Sequence, residues 1–148
     1  MFDINESSSF TKYIAAGSPY TPEIVLARLA LETHCQLRRR VAENPRTPGA
    51  ILTQLANDPD PDVRLGLWEN PATSAAMVDQ LSRDDSPDVR FAMASDPQLN
   101  DAMLRRFLQD DNPYVAERAY RSFCQKHNSS LTAELPTRRD ISDVHEAV

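Results

Sequence analysis

Three acids and three bases recur in step along this 148-residue chain: Asp58, Asp84 and Asp110, and Arg38, Arg64 and Arg90. Carboxylates and guanidinium groups spaced so regularly could stabilise charge in a reacting substrate or grip a phosphate, so the two columns read first as an acid–base array. Other candidates are weaker. Cys35 stands beside His34, but a nucleophile and its base need a third group to orient them, and none is found at a recognisable spacing. His34, His127 and His145 are scattered, with no partner at the separation that metal ligands take. Three glycines are too few for a loop that cradles phosphate, and Gly66 reads instead as a place where two helices approach closely. No catalytic constellation, metal centre or cofactor is expected.

Trp68 is the single tryptophan and falls in a column otherwise made of Ala42, Ala94 and Tyr120. One helical turn separates it from Arg64, so the two share a face. With Val63 and Leu67 turned inward, Leu65 and Trp68 point mostly outward, and Phe91 takes the position of Leu65 one period later. Exposed Leu65, Trp68, Phe91 and Tyr120 beside Arg64 and Arg90 would form an aromatic and basic patch of the kind that dominates binding energy at protein interfaces. The alternative is that Trp68 fills space against a neighbouring unit. Helix direction alone does not decide between them.

These residues are positioned by a repeat of 26 positions. Pro follows Asn or its equivalent at Ser18-Pro19, Asn44-Pro45, Asn70-Pro71 and Asp96-Pro97; Leu29, Leu55, Leu81 and Phe107 form a second column. A third reads Leu37-Arg38, Val63-Arg64, Val89-Arg90 and Val115-Ala116. A period between 20 and 50 residues marks units that cannot bury their apolar faces alone and must stack. Each unit reads as two helices. Thr47 is the expected N-cap of a first helix with Pro48 at its first position, followed by an apolar stripe of Ile51, Leu52, Leu55 and Ala56. Asp60-Pro61, Ser86-Pro87 and Asn112-Pro113 open the second helices, with Asp62 and Asp88 in the first turn, where the helix dipole favours negative charge. The inward pairs are Leu37 and Val41, Val63 and Leu67, Val89 and Met93, Val115 and Ala119. Closed by Asn-Pro after about two and a half turns, the second helix is expected to be short or partly 3₁₀. The fold class is therefore all-α: a right-handed α-solenoid of four two-helix units over residues 18–122.

Residues 1–17, with Phe2, Ile4, Phe10, Tyr13 and Ile14, are expected to pack as an N-terminal cap. Residues 123–148 read as a partly mobile C-terminal tail in which Ile141, Val144 and Val148 leave a short helix open. Stacking holds Cys35 and Cys124 several units apart, beyond the ~4.4–6.8 Å Cα separation of a disulfide, so free thiols are expected. No apolar run approaches the roughly 20 residues of a membrane span, and a cytoplasmic protein is the expectation. The net charge of −6, from 16 basic against 22 acidic residues, argues against a nucleic-acid partner, which requires a basic footprint. The run Arg38-Arg39-Arg40 reads as a solvated face.

The strings Val41-Ala42-Glu43-Asn44-Pro45-Arg46-Thr47-Pro48 and Leu55-Ala56-Asn57-Asp58-Pro59-Asp60-Pro61-Asp62-Val63-Arg64 resemble the bacterial leucine-rich repeat variant, an all-helical solenoid of alternating α and 3₁₀ helices. The second string is also similar to the HEAT-repeat signature, in which an Asp and a Val-Arg pair recur. The unit here has 26 residues where that variant usually has 24, and the cysteine-rich iron–sulfur segment of its founding member is absent. The resemblance implies that the Asp and Arg columns are structural ladders joining adjacent units, with Arg118, two positions past the ladder site, at its end. It implies a non-enzymatic scaffold that binds another protein or itself. The rival implication is a nucleic-acid-binding or DNA-glycosylase-like HEAT protein, in which Trp68 would stack on a base and Asp58 or Asp84 would stabilise positive charge.

Overall fold

A computed structural model describes residues 8–127, and the described residues form nine α-helices and no strand. In chain order these are α1 (Ser9–Gly17), α2 (Glu23–Leu29), α3 (Cys35–Glu43), α4 (Gly49–Leu55), α5 (Pro61–Trp68), α6 (Ala75–Leu81), α7 (Pro87–Ala94), α8 (Asp101–Phe107) and α9 (Pro113–Lys126). The pairs α2–α3, α4–α5, α6–α7 and α8–α9 recur at 26-residue intervals. Neighbouring second helices pack directly on one another as a continuous row, α1 on α3, α3 on α5, α5 on α7 and α7 on α9.

The second helices are α-helical throughout, at 9, 8 and 8 residues for α3, α5 and α7 and 14 for α9, so the 3₁₀ expectation is corrected. The shorter helices are the first of each pair, at seven residues. A helix of that length is marginal alone; each is held by the side chains it buries. Leu29, Leu55, Leu81 and Phe107 are all at most 1% exposed and form one row through the molecule. The inward pairs of the second helices are buried against them. Full burial of each such side chain contributes ~1.5–3 kcal/mol.

Local capping follows the chemistry of each boundary, with one correction. Asp60 and Asn112 accept backbone N–H bonds at the starts of α5 and α9, with proline in the first turn; Ser86 holds the same position without a side-chain bond. Pro48, not Thr47, is the N-cap of α4. The Thr47 hydroxyl instead turns back and donates to the Val41 carbonyl at 2.6 Å, closing α3 rather than opening α4. Ser74 and Asn100, in the Pro48 column, cap α6 and α8 through their side chains.

The two ends extend the pattern. Helix α1 packs on α3 at the N-terminal end and lies 26 positions before it with the same length, in step with the row of second helices. Its contacts run through Ala15 and Ala16, while Phe10, Tyr13 and Ile14 are 73%, 41% and 56% exposed; Phe2 and Ile4 lie outside the described residues. At the other end, Phe123 stands in the column of Pro45, Pro71 and Pro97. With a backbone N–H and no pyrrolidine ring at this position, α9 continues to Lys126 and buries Phe123, so residues 123–126 are helix rather than tail. Ile141, Val144 and Val148 lie outside the described residues.

Candidate functional site

The structure brings the two charged columns together. Arg38 donates from Nε and Nη2 to the two carboxylate oxygens of Asp58 at 2.7 and 2.9 Å, and from Nη1 to the carbonyls of Glu32 and Thr33. Arg64 makes the same fork to Asp84, both bonds at 2.7 Å, and its Nη1 reaches the Asp58 carbonyl. Arg90 repeats it on Asp110 at 2.8 and 2.9 Å, with Nη1 on the Asp84 carbonyl and Nη2 also on the exposed Asp111 carboxylate. Each carboxylate in turn accepts the backbone N–H two residues on, from Asp60, Ser86 and Asn112. Bidentate charge-assisted pairs of this kind are strong and geometrically demanding, which suits Arg and not Lys.

Ionisation follows this geometry. Burial pushes the Asp58 carboxyl up, but the Arg38 fork, the Asp60 N–H and the charges of Arg38 and Arg64 outweigh it and hold the group below the ordinary carboxylate range. Asp110 is lowered in the same way by Arg90 against its burial. The paired arginines are raised, first by the hydrogen bonds to their carboxylates.

Seven further contributors were not visible as site residues in the sequence. Lys12 donates to Glu32 at 2.7 Å, and this pair stands 26 positions before Arg38 and Asp58, so the ladder starts in α1. The Asn44 side chain donates to the carbonyls of Ala16 and Ser18, and Asn70 to those of Ala42 and Asn44, at 2.6–2.9 Å. Thr21, Thr47 and Thr73 donate back to the carbonyls of Ala15, Val41 and Leu67. The Asn of each Asn-Pro reads in sequence as a helix stop; its identity at 44 and 70 was the available signal of a bridging role. Arg118 departs from the ladder and donates to the hydroxyl and carbonyl of Ser95.

The aromatic patch is only partly exposed. Phe91 and Tyr120 are each 42% exposed, whereas Leu65 and Trp68 are half-buried and packed against the core. Leu65 is thus less outward than its helical position suggested, and of the two readings left open for Trp68 the packed one describes it better. Val63 and Leu67 do turn fully inward, but the close approach of neighbouring second helices covers part of the opposite face too. Gly66 makes one such approach possible: a Cβ there would lie 3.0 Å from the Arg39 carbonyl and 3.1 Å from the Ala42 methyl. Arg64 and Arg90, 15% and 11% exposed, are occupied by the ladder.

Cys35 and Cys124 are free. A hydrogen bond with Asp60, with burial second, raises the Cys35 thiol, the opposite of activation. Among the described residues, no three His, Cys, Asp or Glu side chains are grouped as metal ligands and no helix is long and apolar enough to cross a membrane.

Helix pairs that recur at a fixed interval and bond through their loops define a helical repeat protein. Residues 36–60 match the family model described as leucine rich repeat variant, a span that runs from α3 through α4 to the cap of α5 and includes Arg38, Asn44, Thr47 and Asp58. No curated protein and no solved structure matches the chain.

Proposed function

We propose that this chain is a non-enzymatic protein-interaction scaffold: a right-handed superhelix of four units whose row of second helices is the contact surface. The observation that carries this reading is how the polar groups are used. Both oxygens of Asp58, Asp84 and Asp110 are held by Arg38, Arg64 and Arg90, so these carboxylates are committed to joining units. Among the side chains the row exposes are Phe91 and Tyr120, with Leu65 and Trp68 half-buried on the preceding helix α5, set among charged Asp62, Asp88, Glu117 and Arg121. Exposed aromatic side chains on rigid helices lose little conformational entropy on binding and are frequent anchors of interfaces.

The same commitment of the arginines weighs against nucleic acid, since a guanidinium that already makes three or more protein bonds has little left for phosphate. The partner is accordingly a protein, or a second copy of this chain. The test compares partner recovery from native cell extract by wild type and by Phe91→Ala with Tyr120→Ala, alongside light scattering of both. Equal recovery and equal mass for the two proteins would remove this surface, and a steep salt-dependent titration with duplex DNA would favour the nucleic-acid reading instead.

A further inference from the structure

Neighbouring second helices are tied by the side chain of one repeat column, just after the C-terminal ends of α3 and α5 and within the longer α9, at every joint but one. Asn44 binds α3 to α1, through the carbonyls of Ala16 and Ser18. Asn70 binds α5 to α3 through Ala42 and Asn44, and the hydroxyl of Ser122, in the same column, binds α9 to α7 through the Ala94 carbonyl at 2.7 Å. At the joint between α5 and α7 the column residue is Asp96.

Asp96 adopts the pose of its counterparts. Its Oδ1 accepts the Gln98 N–H at 2.7 Å, as Asn44 Oδ1 accepts Arg46 N–H at 2.9 Å and Asn70 Oδ1 accepts Ala72 N–H at 2.8 Å. In that pose its second oxygen takes the place of the asparagine NH₂, and the carbonyls in register with those that Asn70 binds are those of Trp68 and Asn70. An ionised carboxylate has no proton to donate there, and oxygen facing oxygen is repulsive. Among the described residues Asp96 makes no bond to either carbonyl, and it is half-buried where Asn44 and Asn70 are 2% and 4% exposed.

A second difference falls at the same joint. The column Ala16, Ala42, Trp68, Ala94 faces the following second helix, as the contact between the Gly66 position and Ala42 shows. Alanine occupies this column at the other joints; at this one it is Trp68, the bulkiest side chain of the column, half-buried and packed on the core. The joint stays tethered along its opposite edge, by the Arg64–Asp84 fork and by Gln80, which donates to the Ala56 carbonyl and the Asn57 side chain.

We propose that the α5–α7 joint is a hinge, tethered at the Arg64–Asp84 edge and free to open at the Trp68–Asp96 edge, and that Asp96 keeps it open by supplying an acceptor where a donor would close it. The hinge lies beneath the Trp68–Phe91 part of the row, so its opening would change the spacing of those two side chains; the inference itself does not rest on the binding role.

Nitroxide pairs placed in one exposed column test it, in a Cys35→Ser, Cys124→Ser background of the full chain. Ala50→Cys with Ala76→Cys spans the α5–α7 joint, and Ile24→Cys with Ala50→Cys spans the α3–α5 joint one period earlier. The inter-label distance distribution is expected to be broader for 50/76 than for 24/50, and to narrow on Asp96→Asn. In parallel, Asp96→Asn is expected to raise hydrogen-exchange protection at the C-terminal end of α7 about tenfold, equivalent to ~1.4 kcal/mol, while Asn70→Asp lowers it about tenfold at the end of α5. Equal widths for the two label pairs would overturn the hinge. A width at 50/76 that Asp96→Asn does not change, with protection also unchanged, would overturn the assignment to Asp96.

Discussion

Arg64 and Asp84 lie 20 positions apart and meet fork to fork, with Nε to Oδ2 and Nη2 to Oδ1 both at 2.7 Å, while the remaining nitrogen of the same guanidinium holds the carbonyl of Asp58. One side chain thus joins α5 to the loop of the next unit and to the loop that precedes its own helix. Arg64→Lys keeps the charge but loses the fork and one of its three directions. Its cost is expected to be ~2–3 kcal/mol, because a carboxylate 6% exposed is left short of donors. Urea denaturation measures this, and a midpoint indistinguishable from wild type would show that the fork contributes little.

Acid should unfold the chain through the same ladder. Asp58 and Asp110 titrate below the ordinary carboxylate range in the folded state, so their stabilisation is complete above the unfolded-state value of about 4 and is lost as pH falls through the lower folded value. Stability is therefore expected to hold steady down to about pH 5 and to decline below about pH 4. Asp58→Asn should be less stable at neutral pH and should lose less on acidification than wild type. A parallel decline in the two proteins would assign the acid sensitivity elsewhere.

Thr47→Val removes a hydroxyl without changing shape and leaves the Val41 carbonyl without the 2.6 Å bond that closes α3. The expected loss is about 1–2 kcal/mol. If the cost were nil, the hydroxyl would be an incidental partner, as Leu99 in the same column already dispenses with one.

Phe123→Pro restores the residue that ends the earlier second helices. It should stop α9 near Ser122, uncover the Phe107 end of the core and cost at least ~3 kcal/mol from the backbone alone. Far-ultraviolet circular dichroism with thermal melting would read both effects, and unchanged helicity would show that the last turn adds nothing to the fold.

The helical row and its buried columns were legible because burial recurs with the period: Leu29, Leu55, Leu81 and Phe107 repeat in type and each is sealed. The Arg and Asp columns were legible as residues, and their pairing came from resemblance to a repeat family. What sequence patterning misplaced lies at boundaries. Thr47 is chemically able either to start one helix or to finish another, and only the position of the Val41 carbonyl decides. Lys12 and Glu32 escaped because both differ in type from the Arg and Asp that follow, although their spacing is the same. Trp68 was undecided for a physical reason: a short helix packed on two sides has no face that its own periodicity marks as free.

No side-chain hydrogen bond among the described residues reaches further than 28 positions along the chain, the distance from Asn44 to Ala16, Asn70 to Ala42 and Ser122 to Ala94. Distant segments do not need to find one another before the structure gains energy, which favours rapid assembly from local pieces. It also makes length an adjustable property: a duplicate of residues 44–69 spliced after Glu69 would arrive with its own donors, acceptors and core leucine, and should lengthen the molecule by one unit with the rest undisturbed.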